Sequence, residues 1–237
     1  MKTIRLTTLT SLFLILVFSA CKKDNDEKKK PTCRIITITP SPSGNAFNIT
    51  YNSEGKISTI STGNDITTFA YSGNTVIGTT NTSGVFSSKK IITLNANGMA
   101  TNVKTEFNSS GTNWSNDLYE YSGTELIKAT STSSTGGTPS VSTLTWSNGN
   151  PVSATTGTSV TTLDYFTNKP AQTGDYLDIA QLVVGYRIYK PKNAIKSLLN
   201  GTNINSFDYT FDSDGKITSL VATGATNTTY TYQYQCN

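Results

Sequence analysis

The chain has 237 residues, a formal net charge of +4 and no histidine. Without an imidazole there is no His-based general acid–base chemistry, no Ser-His-Asp or Cys-His arrangement and no His-ligated metal site. The charge is also confined: residues 1–30 hold seven Lys/Arg against three Asp/Glu, whereas residues 31–237 hold twelve of each. The body is therefore neutral and has no basic stripe with which to grip nucleic acid. Thr, Ser and Asn number 42, 27 and 22, small polar residues suited to the wet face of an all-β domain, which often runs to this length alone.

Lys2 and Arg5 precede an apolar run, Leu12–Phe18, that is too short to span a bilayer. Ser19-Ala20-Cys21 follows. It resembles the lipobox of bacterial lipoproteins, which implies cleavage before Cys21 and a lipid on that residue. Phe18 stands where a lipobox usually has Leu, Val or Ile. An ordinary secretory site prefers a small residue there, so Phe18 argues against simple secretion. Residues 1–20 are thus read as a signal peptide. Residues 21–32 are the lipidated Cys and a charged tether unable to bury apolar surface, with Lys28-Lys29-Lys30 as its solvated end. Asp24, Asp26 and Glu27 resemble the acidic export signal of Bacteroidetes-type surface lipoproteins, but Lys22 and Lys23 come first. The expectation is an outer membrane lipoprotein, on the cell surface or the periplasmic face, with the membrane as a partner through Cys21.

Residues 33–237 read as one domain bounded by the two remaining cysteines, Cys33 and Cys236. In an oxidising compartment they can pair, and two separate buried thiols are the alternative. Between them one unit recurs: a strand with apolar residues at alternate positions, a Gly/Asn/Ser/Asp turn, and a strand opening on Val, Ile or Leu. The inward pairs before each turn are Ile49/Tyr51, Phe69/Tyr71, Ile92/Leu94, Tyr119/Tyr121, Leu144/Trp146, Leu163/Tyr165, Tyr209/Phe211 and Tyr232/Tyr234. Their second members are spaced 20, 23, 27, 25, 19, 46 and 23 residues apart, so one unit is expected to be replaced by an insert. Residues 51–60, YNSEGKISTI, match residues 211–220, FDSDGKITSL, with Gly55 and Gly215 where the turn needs positive φ. The period predicts an antiparallel meander of about 14–16 strands forming a curved sheet or barrel.

The insert carries the predicted helix, near 176–184. Asp175 is its N-cap and Gly185 its stop, and apolar residues lie nearly all round it, so it should be buried as a plug or cap of the sheet. Residues 194–199 are expected to form an irregular strand.

The aromatic-x-x-x-Gly-x-Ile pattern resembles the hairpin units of YD-type repeat proteins. The whole order of lipobox, charged tether, tandem hairpins and a final Thr-Tyr-x-Tyr-x-Cys strand resembles a family of Bacteroidetes-type surface lipoproteins with a porin-like fold. The resemblance implies no activity, no cofactor and no functional residues.

Candidate sites are few. Asp212-x-Asp214-Gly215 lacks the further oxygen ligands of a calcium loop and reads as turn chemistry. Asp175/Asp178 and Glu120/Glu125 are the carboxylate pairs to weigh for glycoside hydrolysis, and no spacing supports either. Trp146 shares the parity of Leu144 and belongs to the core. Trp114, in an Asn/Ser/Gly loop, is the best contact residue for a glycan or protein partner. The leading expectation is a lipid-anchored, non-catalytic surface interaction module. The alternatives are a carrier holding a lipid or other hydrophobic ligand inside the sheet and, more distantly, a transmembrane barrel with its apolar face toward lipid.

Overall fold

The computed structural model describes residues 32–225 and 227–236. Alternation of Thr or Ser with Ile, Val, Leu or Tyr makes this span a run of strands: β1 (Cys33–Ser41), β2 (Phe47–Tyr51), β3 (Ile57–Thr62), β4 (Asp65–Ser72), β5 (Thr75–Thr82), β6 (Val85–Leu94), β7 (Ala100–Glu106), β8 (Trp114–Ser122), β9 (Glu125–Ser133), β10 (Ser140–Ser147), β11 (Asn150–Thr156), β12 (Ser159–Pro170), β13 (Asn193–Asn200), β14 (Asn203–Phe211), β15 (Ile217–Thr223) and β16 (Thr228–Cys236). Each pairs antiparallel with the next, and β16 returns to β1, so the meander closes into a barrel. The closing register runs from Cys33 opposite Cys236 to Ser41 opposite Thr229. One helix, α1 (Tyr176–Val184), lies in the β12–β13 connection.

The insert does not replace a hairpin, as the doubled spacing suggested. Residues 171–192 lengthen one turn, and all sixteen strands are present. The chain enters and leaves the barrel at the same end, here termed proximal. Among the described residues every charged loop residue lies at that end. The distal loops, 42–46, 63–64, 83–84, 107–113, 134–139, 157–158, 201–202 and 224–227, contain none.

The proximal turns show why the matching segments match. Asn52 Oδ1 accepts the N–H groups of Glu54 and Lys56, both at 3.0 Å. Asp212 Oδ1 likewise accepts those of Asp214 and Lys216, at 3.0 and 2.9 Å. Gly55 and Gly215 sit at φ 78° and 81°, a region costly for a residue with a Cβ. These acidic and amide side chains therefore build turns and not a calcium loop.

Inward positions carry the core. Ile35, Ile38, Ile49, Ile60, Phe207, Tyr209, Ile217 and Leu220 join Leu177 and Ile179 of α1 in one buried cluster. Val76, Ile92, Ala100 and Val103 form a second. A fully buried side chain of this size contributes roughly 1.5–3 kcal/mol. A recurring hydrogen bond locks the proximal rim. In six of the eight even strands an inward aromatic donates to a carbonyl near the start of the odd strand before it: Tyr51 to Ile35 (2.7 Å), Tyr71 to Ile57 (2.8 Å), Tyr121 to Ala100 (2.7 Å), Trp146 to Leu126 (2.8 Å), Tyr209 to Ile195 (2.8 Å) and Tyr234 to Ile217 (2.6 Å). On β14 this places Phe207 and Tyr209, and not Tyr209 and Phe211, as the inward pair. Phe211 is 39% exposed.

The outer wall is polar. Ion pairs cross it between Lys104 and Glu106 (2.9 Å), Lys128 and Glu120 (2.7 Å), and Lys196 and Asp164 (3.4 Å). Ile66, Ile77, Leu118, Ile127, Val141, Val160, Leu199 and Ile204 are exposed on it among Thr, Ser and charged residues, with Leu199 directly opposite Ile204. Among the described residues no helix is long and apolar enough to cross a membrane.

Candidate functional site

Residues 171–192 form a plug in the proximal mouth, built from α1 and the segment that follows it. Asp175 caps the helix: its Oδ1 accepts the Asp178 N–H at 2.9 Å and its Oδ2 accepts the Gln172 N–H at 3.0 Å. Gly185 ends it in the left-handed conformation, φ 84°. A Cβ there would stand 2.4 Å from the Phe69 ring. Gln181 folds the following segment back by accepting the N–H groups of Ile188 and Tyr189 at 2.8 and 3.1 Å. Asp178 accepts from Gly174 N–H and pairs with Arg187. The plug is stitched to the wall where Ala100 N–H donates to Arg187 O at 2.7 Å and where the Tyr121 hydroxyl proton is shared between Ala100 O and, at 2.9 Å, Ile188 O of the plug.

Burial governs the titration of the plug. Asp175 is 2% exposed, and this desolvation pushes its carboxyl up to about 6 against the pull of its N–H donors. Tyr189 is likewise pushed up to about 12 by burial. The hydroxyls of Tyr165 and Tyr232 are buried without a hydrogen-bond partner. Asp175 and Asp178 are thus brought together, but their oxygens are taken by capping and by Arg187. Glu120 lies on the outer wall with Lys128. Among the described residues no group of three or more potential metal ligands converges.

The helix leans toward β13–β16, where Tyr176 stacks on Phe207 with centroids 4.1 Å apart. On the opposite side it leaves a cleft of about 410 Å³ between α1 and the β1–β6 wall. Ile35, Ile57, Val76, Leu94 and Leu182 give this cleft apolar walls, with Tyr51, Tyr71 and Tyr186 beside them. The hydroxyls of Tyr51 and Tyr71 are committed to backbone carbonyls, so their rings face the space. Burial raises the pKa of both phenols; for Tyr51 the nearby Arg34 opposes the rise. Arg34, Lys56 and Arg187 rim the mouth. The Arg34 guanidinium sits 4.4 Å above the Tyr51 ring and the Lys56 ammonium 5.2 Å from that of Tyr71. A larger hollow, about 560 Å³, lies over the plug but is lined mainly by polar groups such as Asn97, Gln172 and Lys190.

Cys21 lies outside the described residues, as do the signal peptide and nearly all of the tether. Cys33 and Cys236 form a disulfide across the closing strand pair, with an S–S distance of 2.05 Å. Trp146 is inward, its indole N–H bonded to Leu126 O. Trp114 is not a loop residue. It opens β8 and pairs with Glu106 on β7. Its parity matches Leu118 and Glu120, so it lies half-buried along the outer wall, in a shallow hollow of about 300 Å³ with Lys104, Asn116 and Thr132. The cleft residues Arg34, Tyr186 and Arg187 escaped the sequence reading. Tyr51 and Tyr71 were placed on the inner face, but nothing local marked them as unpacked.

No protein family matches the chain, and no curated protein is similar to it. A crystal structure of a porin-like protein from Bacteroides uniformis superposes with a TM-score of 0.63 at 19% identity, covering 85% of this chain and 96% of that one. One of a porin-like protein from Bacteroides vulgatus gives 0.45 at 11% identity over 85% and 98%. The first likeness is one of fold: this chain is a closed β-barrel of porin-like architecture, with its mouth plugged by its own β12–β13 connection.

Proposed function

We propose that the protein is a lipid-anchored, extracytoplasmic barrel without catalytic activity that holds a hydrophobic ligand in the proximal cleft. The carrying observation is the cleft itself. Between the plug and the wall a space stays open, bounded by the half-buried Tyr51, Ile57, Tyr71, Leu94 and Leu182, with a volume inside the range of small-ligand pockets. The distribution of polarity supports a binding role over a transmembrane pore. A spanning barrel presents an apolar band about 25 Å tall to lipid and a polar interior, whereas here the buried clusters face inward and ion pairs cross the outside. A disulfide between the barrel ends suits an oxidising compartment. A lipid on Cys21 would hold the proximal end within about 40 Å of the outer membrane, the reach of the intervening chain. Lipidation is tested by the mass of the N-terminal peptide of the mature protein.

All sixteen strands, both clusters and the disulfide fall within residues 33–236, so this unit carries its own core. Residues 22–237, exported behind a cleavable signal and purified without detergent, should give a native mass spectrum with a satellite some hundreds of daltons heavier. The satellite should disappear in Leu182→Trp, which fills the cleft. Identical apo spectra for both, with no uptake of an alkyl probe, would sink the proposal.

One observation favours a second reading, an interaction module for a glycan or protein partner. The Trp114 indole lies on the outer wall with the Lys104 ammonium 5.9 Å from its centroid. Loss of partner binding in Trp114→Ala, with the cleft variants unaffected, would establish it.

A further inference from the structure

We infer that the cleft takes a single-chain amphiphile with an anionic head, its tail among the half-buried Ile57, Leu94 and Leu182 and the rings of Tyr51 and Tyr71, and its head on Arg34. This rests on the binding role proposed above and specifies the ligand. Three cations rim the cleft, and two are already matched: Lys56 pairs with Glu54 at 2.8 Å and Arg187 with Asp178. Among the described residues Arg34 has no carboxylate within ion-pair distance. Its Nε and Nη2 donate to the neutral Gln235 Oε1, at 3.2 and 2.9 Å, which orients the guanidinium and leaves the charge unmatched. It also lies 4.4 Å over the Tyr51 ring, a cation–π contact that helps hold it in place. The Nη1 edge faces Gly55, where an added Cβ would stand 3.8 Å away. A guanidinium held in place with a free edge is suited to a carboxylate or a phosphate oxygen pair.

Deeper in, the chemistry changes. The Tyr51 and Tyr71 hydroxyls are already bonded to carbonyls, Ile57, Leu94 and Leu182 beside them are aliphatic, and the Asp178 and Gln181 groups that also line the space are bonded within the plug. The depth therefore accepts a chain that needs no hydrogen bonds. At about 410 Å³ the space is near the lower end for ligand pockets, which suits one chain and not a diacyl lipid.

The test uses residues 22–237 and three probes in calorimetric titrations: decanoate, decyl phosphate and neutral decan-1-ol. At least one anionic probe should bind at least tenfold tighter than decanol, and that preference should shrink with added salt. The preferred anion separates a fatty-acid source from a phosphate-headed one. Arg34→Gln can keep a bond to Gln235 while losing the charge. It should abolish the preference and leave decanol binding unchanged. Leu182→Trp should weaken all three probes. If decanol binds in the cleft but Arg34→Gln changes nothing, the anionic head is wrong and the binding role stands. If no probe binds, or Leu182→Trp leaves all affinities unchanged, both fall.

Discussion

Replacing Asp175 by Asn should reshape the pH dependence of stability. The carboxyl is buried, and its pKa rises from 3.8 to about 6 because burial penalises the charge more than its N–H donors favour it. A group whose folded pKa is raised stabilises the fold fully below its unfolded pKa, and that contribution is lost as pH rises through the folded value. Going from pH 3.5 to pH 7.5 the parent should therefore lose about 3 kcal/mol from this one group, at 1.36 kcal/mol per pKa unit. Asn has no charge to bury. It can still accept the Asp178 N–H as an N-cap, although it cannot also accept from Gln172. That lost bond is nearly independent of pH, so it cancels when the variant-minus-parent difference is followed across pH. Urea denaturation monitored by fluorescence, with the disulfide intact, measures this difference. It should move in favour of Asp175→Asn by roughly 3 kcal/mol over the range. A difference flat to within about 0.5 kcal/mol would show that Asp175 is not a desolvated carboxylate and that the plug is wetter than described.

Tyr209→Phe should cost about 1–2 kcal/mol, because its hydroxyl donates to Ile195 O and accepts the Tyr176 N–H. Tyr165→Phe, whose buried hydroxyl has no partner, should cost nothing or stabilise; equal losses in the two would contradict the hydrogen-bond assignment. Reducing the Cys33–Cys236 bridge, which spans 203 residues, should lower stability by up to about 5 kcal/mol in the chain-entropy model, read as a drop in urea midpoint. Gly185→Ala should destabilise by about 2 kcal/mol or more, since it strains a φ of 84° and drives a methyl into Phe69. Pairing it with Phe69→Ala should recover the packing part of that loss, seen as non-additive shifts in thermal midpoint.

Much of the barrel was legible because its rules are local. Parity assigns Phe69 and Tyr71 to one face and Ile66 and Ala70 to the other, and the Asx turns at Asn52 and Asp212 announce two hairpins. Asp175 and Gly185 bracket the helix because capping needs only a side-chain oxygen before it and a left-handed residue after it. What failed depended on three-dimensional placement. The doubled spacing between Tyr165 and Phe211 fits a lost hairpin as well as a lengthened turn, and only strand pairing separates the two. Trp114 has the parity of Leu118 and Glu120, a signal that was present, but its Asn/Ser/Gly neighbours suggested a loop. The cleft was not legible, because Arg34 and Arg187 are far apart in sequence and meet only after β1 closes on β16 and the plug folds back.

The cleft beside α1 is the proposed ligand site. Nuclear Overhauser contacts between decanoate alkyl protons and assigned aromatic ring protons test it most directly. Cross-peaks to Tyr51 and Tyr71, and none to Trp114, are expected. Contacts to the Trp114 indole alone, or none to any ring while decanoate is bound, would contradict it.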